Sequence, residues 1–150
     1  MSVIIGKTNI SISNKPFIIA EMSGNHNQSL DKALDIVEAA AKSGVDALKL
    51  QTYTADTITL DINEDEFFIN DKDNLWKGQS LYKLYQQAYT PWEWHETIMK
   101  RANEFGMICF STPFDDTAVD FLEELNVPAY KIASAEIIHH PLLKKVATLG

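Results

Sequence analysis

The sequence predicts an α/β fold, namely the first half of a TIM-type (β/α)8 barrel preceded by a short N-terminal β-hairpin. Apolar segments of strand length alternate along the chain with longer segments whose apolar residues recur at helical spacing. This alternation is typical of parallel strands joined by right-handed helical crossovers. Polar residues also gather at the carboxyl ends of the predicted strands, where parallel α/β folds place their active sites.

The composition indicates a globular domain and excludes several classes of function. A chain of 150 residues is long enough to bury a substantial core, and its net charge of −8 argues against a nucleic-acid partner. No apolar run approaches the roughly 20 residues that a membrane span needs. The single cysteine, Cys109, excludes an internal disulfide and a multi-cysteine zinc site. Because no export signal is evident, we expect a cytoplasmic protein without a membrane partner.

The first predicted elements follow the order of successive βα units. Residues 1–15 alternate apolar and polar side chains between turn residues, which predicts the hairpin. A strand at 17–21 leads into a helix that Ser29 caps and Gly44 ends. The second strand, at 45–51, follows directly.

The later elements continue the pattern. Residues 90–93, Thr-Pro-Trp-Glu, have a threonine cap, a proline at the first helical position and a glutamate three residues after the cap. A third strand is predicted at 107–112, and an aspartate at 115 or 116 would cap the next helix. The fourth strand is predicted at 129–133, and a proline at 141 begins the last helix.

The length of the chain bears on the choice between two folds. A complete barrel needs about 250 residues, so these units would form its first half. We therefore predict a hairpin at 1–15 and the first four βα units at 16–150, with the C-terminal half of the barrel absent. The alternative is an open flavodoxin-like sheet, whose glycine-rich phosphate loop is only weakly suggested by Gly24 and its neighbours.

A long insertion separates the second strand from the helix at residue 92. It is far longer than an ordinary βα loop, is rich in aspartate and glutamate, and contains a predicted short helix at 80–88. On the carboxyl side of a barrel, such a segment is a candidate lid over a substrate. The other interpretation is a solvated insertion without a role.

Charged and hydroxyl side chains converge at the carboxyl ends of the predicted strands. Two lysines in one pocket repel each other unless they share an anion, and lysine suits a phosphate or a carboxylate. Two glutamates beside them could transfer protons or hold sugar hydroxyls. We therefore predict a site for a small, doubly anionic substrate such as a phosphorylated acid. The converging residues are Glu21, Lys49, Gln51, Thr112, Lys131, Ser134 and Glu136.

Other interpretations of individual residues stay open. Lys131 could form a structural ion pair with Glu136, because a buried lysine needs an anionic partner. It could also act as a Schiff-base lysine of an aldolase. His26 is a weaker site candidate, and His95 is expected on the exposed side of its helix, without a role.

Five stretches resemble the sialic acid synthase family, in the family order and spacing, and most closely its pseudaminic acid synthase branch. They are Ala-Glu-Met-Ser-Gly-Asn-His-Asn at 20–27, Ala-Leu-Lys-Leu-Gln at 47–51, Thr-Pro-Trp-Glu-Trp-His at 90–95, Phe-Ser-Thr-Pro-Phe-Asp at 110–115 and Tyr-Lys-Ile-Ala-Ser-Ala-Glu at 130–136.

The resemblance implies a transferase that condenses phosphoenolpyruvate with the open-chain aldehyde of an acylated amino sugar. For the pseudaminate branch the sugar is 2,4-diacetamido-2,4,6-trideoxy-altropyranose, and the products are pseudaminate and phosphate. By resemblance, Lys49 and Lys131 would bind the phosphate and carboxylate, with hydrogen bonds from Thr112 and Ser134. The same comparison assigns sugar contacts to Glu21, places Asn25 and Gln51 among the substrate-binding residues, and lets Glu136 stabilise the oxocarbenium-like carbon or position water.

The resemblance also implies parts that this chain does not contain. The family uses a divalent metal, Mn or Mg, whose histidine ligands would lie beyond residue 150, and it forms homodimers in which an antifreeze-like C-terminal domain supplies an arginine to the partner's site. The chain alone is therefore expected to be inactive. Ala135 and His139 depart from the phenylalanine and aspartate frequent in the pseudaminate branch. An N-acetylneuraminate or legionaminate synthase, and a non-catalytic folded fragment, therefore stay open as alternatives.

Overall fold

The computed structural model describes residues 2–149, apart from the side chain of Asp65. Met1 and Gly150, the outer limits of the two predicted units, lie outside the described residues. The strands are β1 (Ser2–Ile5), β2 (Thr8–Ser11), β3 (Ile19–Glu21), β4 (Ala47–Thr52) and β5 (Ile108–Pro113). The helices are α1 (Leu30–Lys42), α2 (Ala55–Ile58), α3 (Leu81–Ala88), α4 (His95–Glu104), α5 (Asp116–Glu124) and α6 (His140–Ala147). Short 3-10 helices span Asp65–Phe67, Trp92–Trp94 and Ser134–Ile138.

The main sheet is parallel, and its strands lie side by side in chain order, β3, β4 and β5. The register pairs Glu21 with Lys49 and Gln51 with Thr112. In the flavodoxin-like order, the first strand of the unit would lie between the second and third. Since β4 lies in the middle, the chain does not adopt that alternative.

A two-stranded antiparallel sheet precedes the main sheet. Strands β1 and β2 pair from Ser2 opposite Ser11 to Ile5 opposite Thr8, and Gly6 occupies the turn with a φ of 58°. A Cβ added at Gly6 would lie 3.3 Å from the Cδ1 atom of Ile108. The hairpin turn therefore contacts the start of β5, at the amino edge of the main sheet.

The hydrophobic core lies between one face of the main sheet and the helices. Alternate residues of β4 and β5 supply the sheet side, while α1, α4 and α5 supply the opposite side. The buried thiol of Cys109 belongs to this core, and burial raises its pKa to about 12. It is therefore a packing residue and not a nucleophile. The buried members are Met22, Ala33, Val37, Ala40, Leu48, Leu50, Ile98, Met99, Ala102, Met107, Cys109 and Leu122.

Two of the predicted helix caps are confirmed. The hydroxyl of Ser29 accepts a hydrogen bond from the backbone N–H of Lys32, and the carboxylate of Asp115 accepts from Thr117 and Ala118. The predicted cap at Thr90 is wrong. A 3-10 helix at Trp92–Trp94 precedes α4, and the Thr90 hydroxyl contacts another part of the chain instead.

The fourth strand is shorter than the sequence predicts. Only Tyr130 forms a parallel bridge, to Ser111, and the backbone N–H of Lys131 donates to the Ser111 carbonyl at 3.1 Å. Within the described part of the chain, no strand lies on the other edge of this segment, and the 3-10 helix at Ser134–Ile138 follows at once. The predicted strand at 129–133 is therefore reduced to one bridging residue, Tyr130, in the described structure.

Candidate active site

Strands β3 and β4 bring three predicted site residues together at the carboxyl edge of the sheet. The ammonium group of Lys49 forms an ion pair with the carboxylate of Glu21, and the Gln51 amide donates to the same carboxylate at 3.4 Å. The Lys49 side chain is only 12% exposed, whereas that of Glu21 is 42% exposed. All three residues lie on the sheet face opposite the helical core, because they alternate with the core residues of their strands.

Thr112 extends this row onto β5. It lies opposite Gln51 in the register and is 1% exposed. Its Oγ1 atom is buried and has no hydrogen-bond partner within residues 2–149. A buried hydroxyl without a partner costs about 1–3 kcal/mol, so this threonine presents an unused hydrogen bond at the edge of the site.

The remaining predicted groups follow the bridge at Tyr130. Strand alternation would place Lys131 on the Thr112 side, but both Lys131 and Ser134 are exposed. Among the described residues, Lys131 forms no ion pair, so the predicted alternative of a Lys131–Glu136 pair is wrong. The Glu136 carboxylate instead lies 3.4 Å from Nδ1 of His139.

The loop after β3 carries Asn25, whose side-chain amide donates to the Met22 carbonyl at 3.0 Å. Three non-glycine residues of this loop have left-handed backbones: Ser23, Asn27 and Gln28, with φ of 51°, 49° and 53°. Such conformations are costly for residues with a Cβ, so surrounding contacts must hold them.

Those contacts come from the start of the 90–95 segment and from the end of α3. The neutral ring of His26 accepts a hydrogen bond from the backbone N–H of Gln28 at Nδ1, and its Nε2 lies 3.1 Å from the Thr90 hydroxyl. The Gln28 amide donates to the carbonyls of Gln87 and Tyr89. Burial lowers the pKa of His26, which keeps the imidazole neutral.

His95 corrects another expectation, because it is fully buried and not exposed on its helix. Its Nε2 lies 2.9 Å from Oγ1 of Thr52, and that oxygen lies 2.7 Å from Oγ of Ser111. Its Nδ1 lies 3.3 Å from the Pro91 carbonyl. Sequence spacing missed this role because the exposed side of α4 was inferred from its apolar residues alone.

The 90–95 segment contacts the loops that follow β3 and β4, and also helix α5. Thr90 contacts His26 after β3, and the indole N–H of Trp92 donates to the Tyr53 carbonyl after β4 at 3.2 Å. Phe121 of α5 stacks on Trp92 with ring centroids 4.8 Å apart. This short segment therefore fixes the carboxyl ends of the strands relative to one another.

The long insertion also lies at this edge. Tyr53 is buried, with its ring edge-on to Tyr85 of α3 and to Phe114 after β5, at centroid distances of 5.5 and 5.4 Å. Burial, and then the neighbouring Tyr85, raise the pKa of Tyr53 to about 12. The phenol therefore stays neutral and anchors the insertion beside the site.

The chemistry of the edge is that of anion binding beside a carboxylate. Lysine and threonine donate to phosphate or carboxylate oxygens, while Glu21 accepts from hydroxyl groups. Within residues 2–149, no three histidine, cysteine, aspartate or glutamate side chains are grouped to hold a metal ion. A cavity of about 450 Å3 between Gly6 and Pro128 lies at the opposite, amino edge and touches none of the predicted site residues.

These features define a class of α/β protein with a polar site at the carboxyl edge of a parallel sheet. Comparison with known proteins identifies the particular group. The chain belongs to the NeuB family, whose model matches residues 36–150. The predicted membership of the sialic acid synthase family is thereby confirmed.

Individual relatives support the same assignment. The chain is 45% identical over 139 residues to pseudaminic acid synthase from Campylobacter jejuni, covering 93% of this chain and 40% of that protein. It is 46% identical over 132 residues to pseudaminic acid synthase from Helicobacter pylori, covering 88% and 38%. The chain thus spans about two fifths of the length of these curated relatives.

A solved structure matches the fold over nearly the whole chain. The N-acetylneuraminic acid synthetase from Leptospira borgpetersenii, in complex with citrate, superimposes with a TM-score of 0.81 at 26% identity, covering 99% of this chain and 47% of that one.

Proposed function

We propose that the chain is the N-terminal part of a pseudaminic acid synthase. That enzyme would condense phosphoenolpyruvate with 2,4-diacetamido-2,4,6-trideoxy-altropyranose to give pseudaminate and phosphate. The observation that carries the proposal is the row of Glu21, Lys49, Gln51 and Thr112 at the carboxyl edge of the sheet. The identity to the Campylobacter jejuni protein supports the choice of sugar.

We infer that residues 16–150 form the first half of a TIM barrel, with the hairpin at 1–15 beneath it. The support is that the strands lie side by side in chain order, with Tyr130 next to β5. Strands of a (β/α)8 barrel follow one another in this order.

Phosphoenolpyruvate carries a phosphate and a carboxylate, and the site offers donors for both. Lys49 is nearly enclosed and already faces a carboxylate, so the side chain is oriented for an anion. Thr112 would donate a hydrogen bond from its unpartnered hydroxyl, while Lys131 and Ser134 would approach from the segment after the β-bridge at Tyr130. Charge-assisted hydrogen bonds of this kind are worth about 1.5–3 kcal/mol each.

The carboxylates and amides would serve the sugar and the reacting carbons. Glu21, with Gln51 and Asn25 nearby, would hold sugar hydroxyls. Carbon 3 of phosphoenolpyruvate forms the new bond to the aldehyde carbon, whose oxygen takes up a proton. Water then adds to carbon 2 and loses a proton, and the C–O bond to phosphate breaks. Glu136 would stabilise the positive charge on carbon 2 or orient that water.

The family resemblance adds components that lie outside this chain. A bound Mn or Mg ion would polarise the sugar aldehyde. By the same resemblance, its histidine ligands would lie beyond residue 150. The full-length protein would be a cytoplasmic homodimer. Within residues 2–149, no helix has both the length and the apolar character to cross a membrane.

The test measures phosphate release by the protein at its full encoded length. We expect release only when phosphoenolpyruvate and the altrose-derived sugar are both present, and a loss of more than tenfold for Lys49→Gln. Lys77→Gln, which removes the same charge from an exposed position on the insertion, is the control. No release with the altrose-derived sugar would defeat the pseudaminate assignment, and equal losses for both variants would remove Lys49 from the site.

A second candidate is synthesis of a different nonulosonic acid. The chain is 37% identical to N,N'-diacetyllegionaminic acid synthase from Legionella pneumophila, over 88% of its length. Ala135 and His139 adjoin Glu136, and His139 contacts its carboxylate. Activity with N-acetylmannosamine in place of the altrose-derived sugar would favour this candidate.

A further inference from the structure

Behind the site, on the helix-facing side of the sheet, lies a chain of buried polar side chains. His95 of α4, Thr52 of β4 and Ser111 of β5 are each 0% exposed. Two hydrogen bonds join them, of 2.9 Å between His95 and Thr52 and 2.7 Å between Thr52 and Ser111. Buried polar groups cost stability unless they are partnered, and these three side chains satisfy one another through those hydrogen bonds.

The partners of His95 determine which group donates in each hydrogen bond of this polar chain. The Pro91 carbonyl can only accept, so Nδ1 carries the proton and Nε2 is the acceptor. The Thr52 hydroxyl therefore donates to His95, and its oxygen accepts from the Ser111 hydroxyl. Both hydroxyls, of Thr52 and Ser111, therefore act as donors. If the histidine carried its proton on Nε2 instead, the lone pair of Nδ1 would face the Pro91 carbonyl oxygen.

Each hydroxyl of the chain is adjacent to a predicted substrate-binding residue. Thr52 follows Gln51 on β4, and Ser111 precedes Thr112 on β5. The Ser111 carbonyl also accepts the backbone N–H of Lys131 at 3.1 Å. The chain thus reaches three segments that carry site residues, although none of its members lies on the site face.

Aromatic side chains enclose the histidine. Phe121 lies edge-on to the His95 ring with centroids 5.3 Å apart, and the same Phe121 stacks on Trp92. An apolar residue would fill this space as well as a histidine, but it could not accept from Thr52. The position therefore requires a hydrogen-bond acceptor.

We propose that His95 is a positioning residue, which acts through Thr52 and Ser111 to hold Gln51, Thr112 and Lys131 in register for the anionic substrate. This inference rests on the proposed function, because phosphoenolpyruvate is the anion that the aligned groups would bind.

The test compares variants of the protein at its full encoded length, by calorimetric binding of phosphoenolpyruvate. His95→Phe keeps the ring but removes the acceptor, and the dissociation constant should rise about tenfold. His95→Gln keeps an acceptor at a similar distance from the backbone on a side chain without the ring, and affinity should return to within about threefold of the parent. Thr52→Val is a second route to the same loss, should His95→Phe fail to fold, and the double variant should lose no more than either single one.

Ile98→Ala is the matched control, since Ile98 is a buried core residue of the same helix and not a member of the polar chain. It should lower stability but leave the dissociation constant within about twofold of the parent. Equal losses of affinity for Ile98→Ala and His95→Phe would show a general effect of destabilisation and overturn the proposal. Unchanged affinity in folded His95→Phe and Thr52→Val would also overturn it.

Hydrogen exchange of the Lys131 amide separates this proposal from the proposed function, because it needs no ligand. Exchange should accelerate in His95→Phe more than in Ile98→Ala at matched stability. If the parent protein bound no phosphoenolpyruvate, the proposed function would fail, and the exchange rates would decide the positioning role. Equal rates in the two variants would end it.

Discussion

At the scale of single residues, Thr112 shows a conflict between stability and binding. Its hydroxyl is buried within the described structure without a partner, whereas the hydroxyl of Thr52 one strand away has two. Burying an unpartnered hydroxyl is unfavourable. A hydroxyl that lowers stability but is free to donate a hydrogen bond suits a ligand-binding role.

Thr112→Val tests this conflict directly, because valine has nearly the same shape without the hydroxyl. We expect the free energy of unfolding to stay the same or rise by up to about 1 kcal/mol, while the dissociation constant for phosphoenolpyruvate rises about tenfold. Urea unfolding and calorimetric titration measure the two quantities. Thr52→Val is the stability control and should lose about 1–3 kcal/mol. A Thr112→Val protein that was destabilised as much as Thr52→Val would contradict the assignment.

At the scale of elements, the loop after β3 and the end of α3 are fitted closely together. A Cβ added at Gly24 would lie 2.6 Å from the backbone carbonyl oxygen of Ala88. That distance is far below van der Waals contact, and a backbone atom cannot move aside as a flexible side chain can. Gly24 therefore lets the loop carrying Asn25 approach the insertion.

Gly24→Ala should consequently displace the loop and the insertion together. We expect a loss of about 1–3 kcal/mol in the free energy of unfolding, together with faster hydrogen exchange at Gln28 and Tyr89. Gly44→Ala provides the contrast. Gly44 has a φ of 78° but nothing within 4 Å of an added Cβ, so the variant should lose stability without affecting that loop. Unchanged exchange at Gln28 in Gly24→Ala would refute the coupling.

The elements that sequence predicted well are those governed by local chemistry. The caps at Ser29 and Asp115 and the short helix before Thr90 depend on neighbours within one turn, and they are present as expected. The fourth strand failed because a ladder depends on partners distant in sequence. Thr90 carried a good capping pattern, but a hydrogen bond to His26 across 64 residues took its hydroxyl instead.

The candidate site shows the same division. The sequence placed Glu21, Lys49, Gln51 and Thr112 at the carboxyl ends of the predicted strands, and the register sets Glu21 opposite Lys49 and Gln51 opposite Thr112. The burial of His26 and His95 was not foreseen, because nothing in their local sequence indicates which loops will cover them.

At the scale of the whole molecule, two buried neutral histidines predict sensitivity to acid. Burial lowers the pKa of His95 to about 4, against smaller raising effects from the backbone at Pro91 and Trp92 and from Glu93, while His26 lowers it further. Burial also lowers the pKa of His26. Between the lowered pKa of each histidine and its ordinary pKa near 6.5, the unfolded chain therefore binds more protons than the folded one.

The stabilisation that depends on neutral His95 should accordingly be fully present above pH 6.5 and should be lost as the pH drops towards 4. Below pH 4, the protonation of His95 should change the stability no further. Protonation of His95 should account for a loss of about 3 kcal/mol in the free energy of unfolding over this pH range. Urea unfolding between pH 7.5 and 4.5 should show a smaller pH dependence for His95→Gln than for the parent. The parent and the variant have the same carboxylates, so the comparison tests the histidine. Parallel curves for the two would exclude His95 as the source.

The 90–95 segment joins the loop that follows β3, the end of β4 with the loop after it, and helix α5. In the described part of the chain, the turn at Ser134–Ile138 has no hydrogen bond to it. Variation along this part of the sequence is therefore constrained unevenly: a change in one of the tied segments disturbs the others, while the side chain at Ala135 can vary alone. Under the proposed function, a new sugar preference should accordingly arise first at Ala135, between Ser134 and Glu136, whose own roles towards phosphoenolpyruvate such a substitution would leave in place.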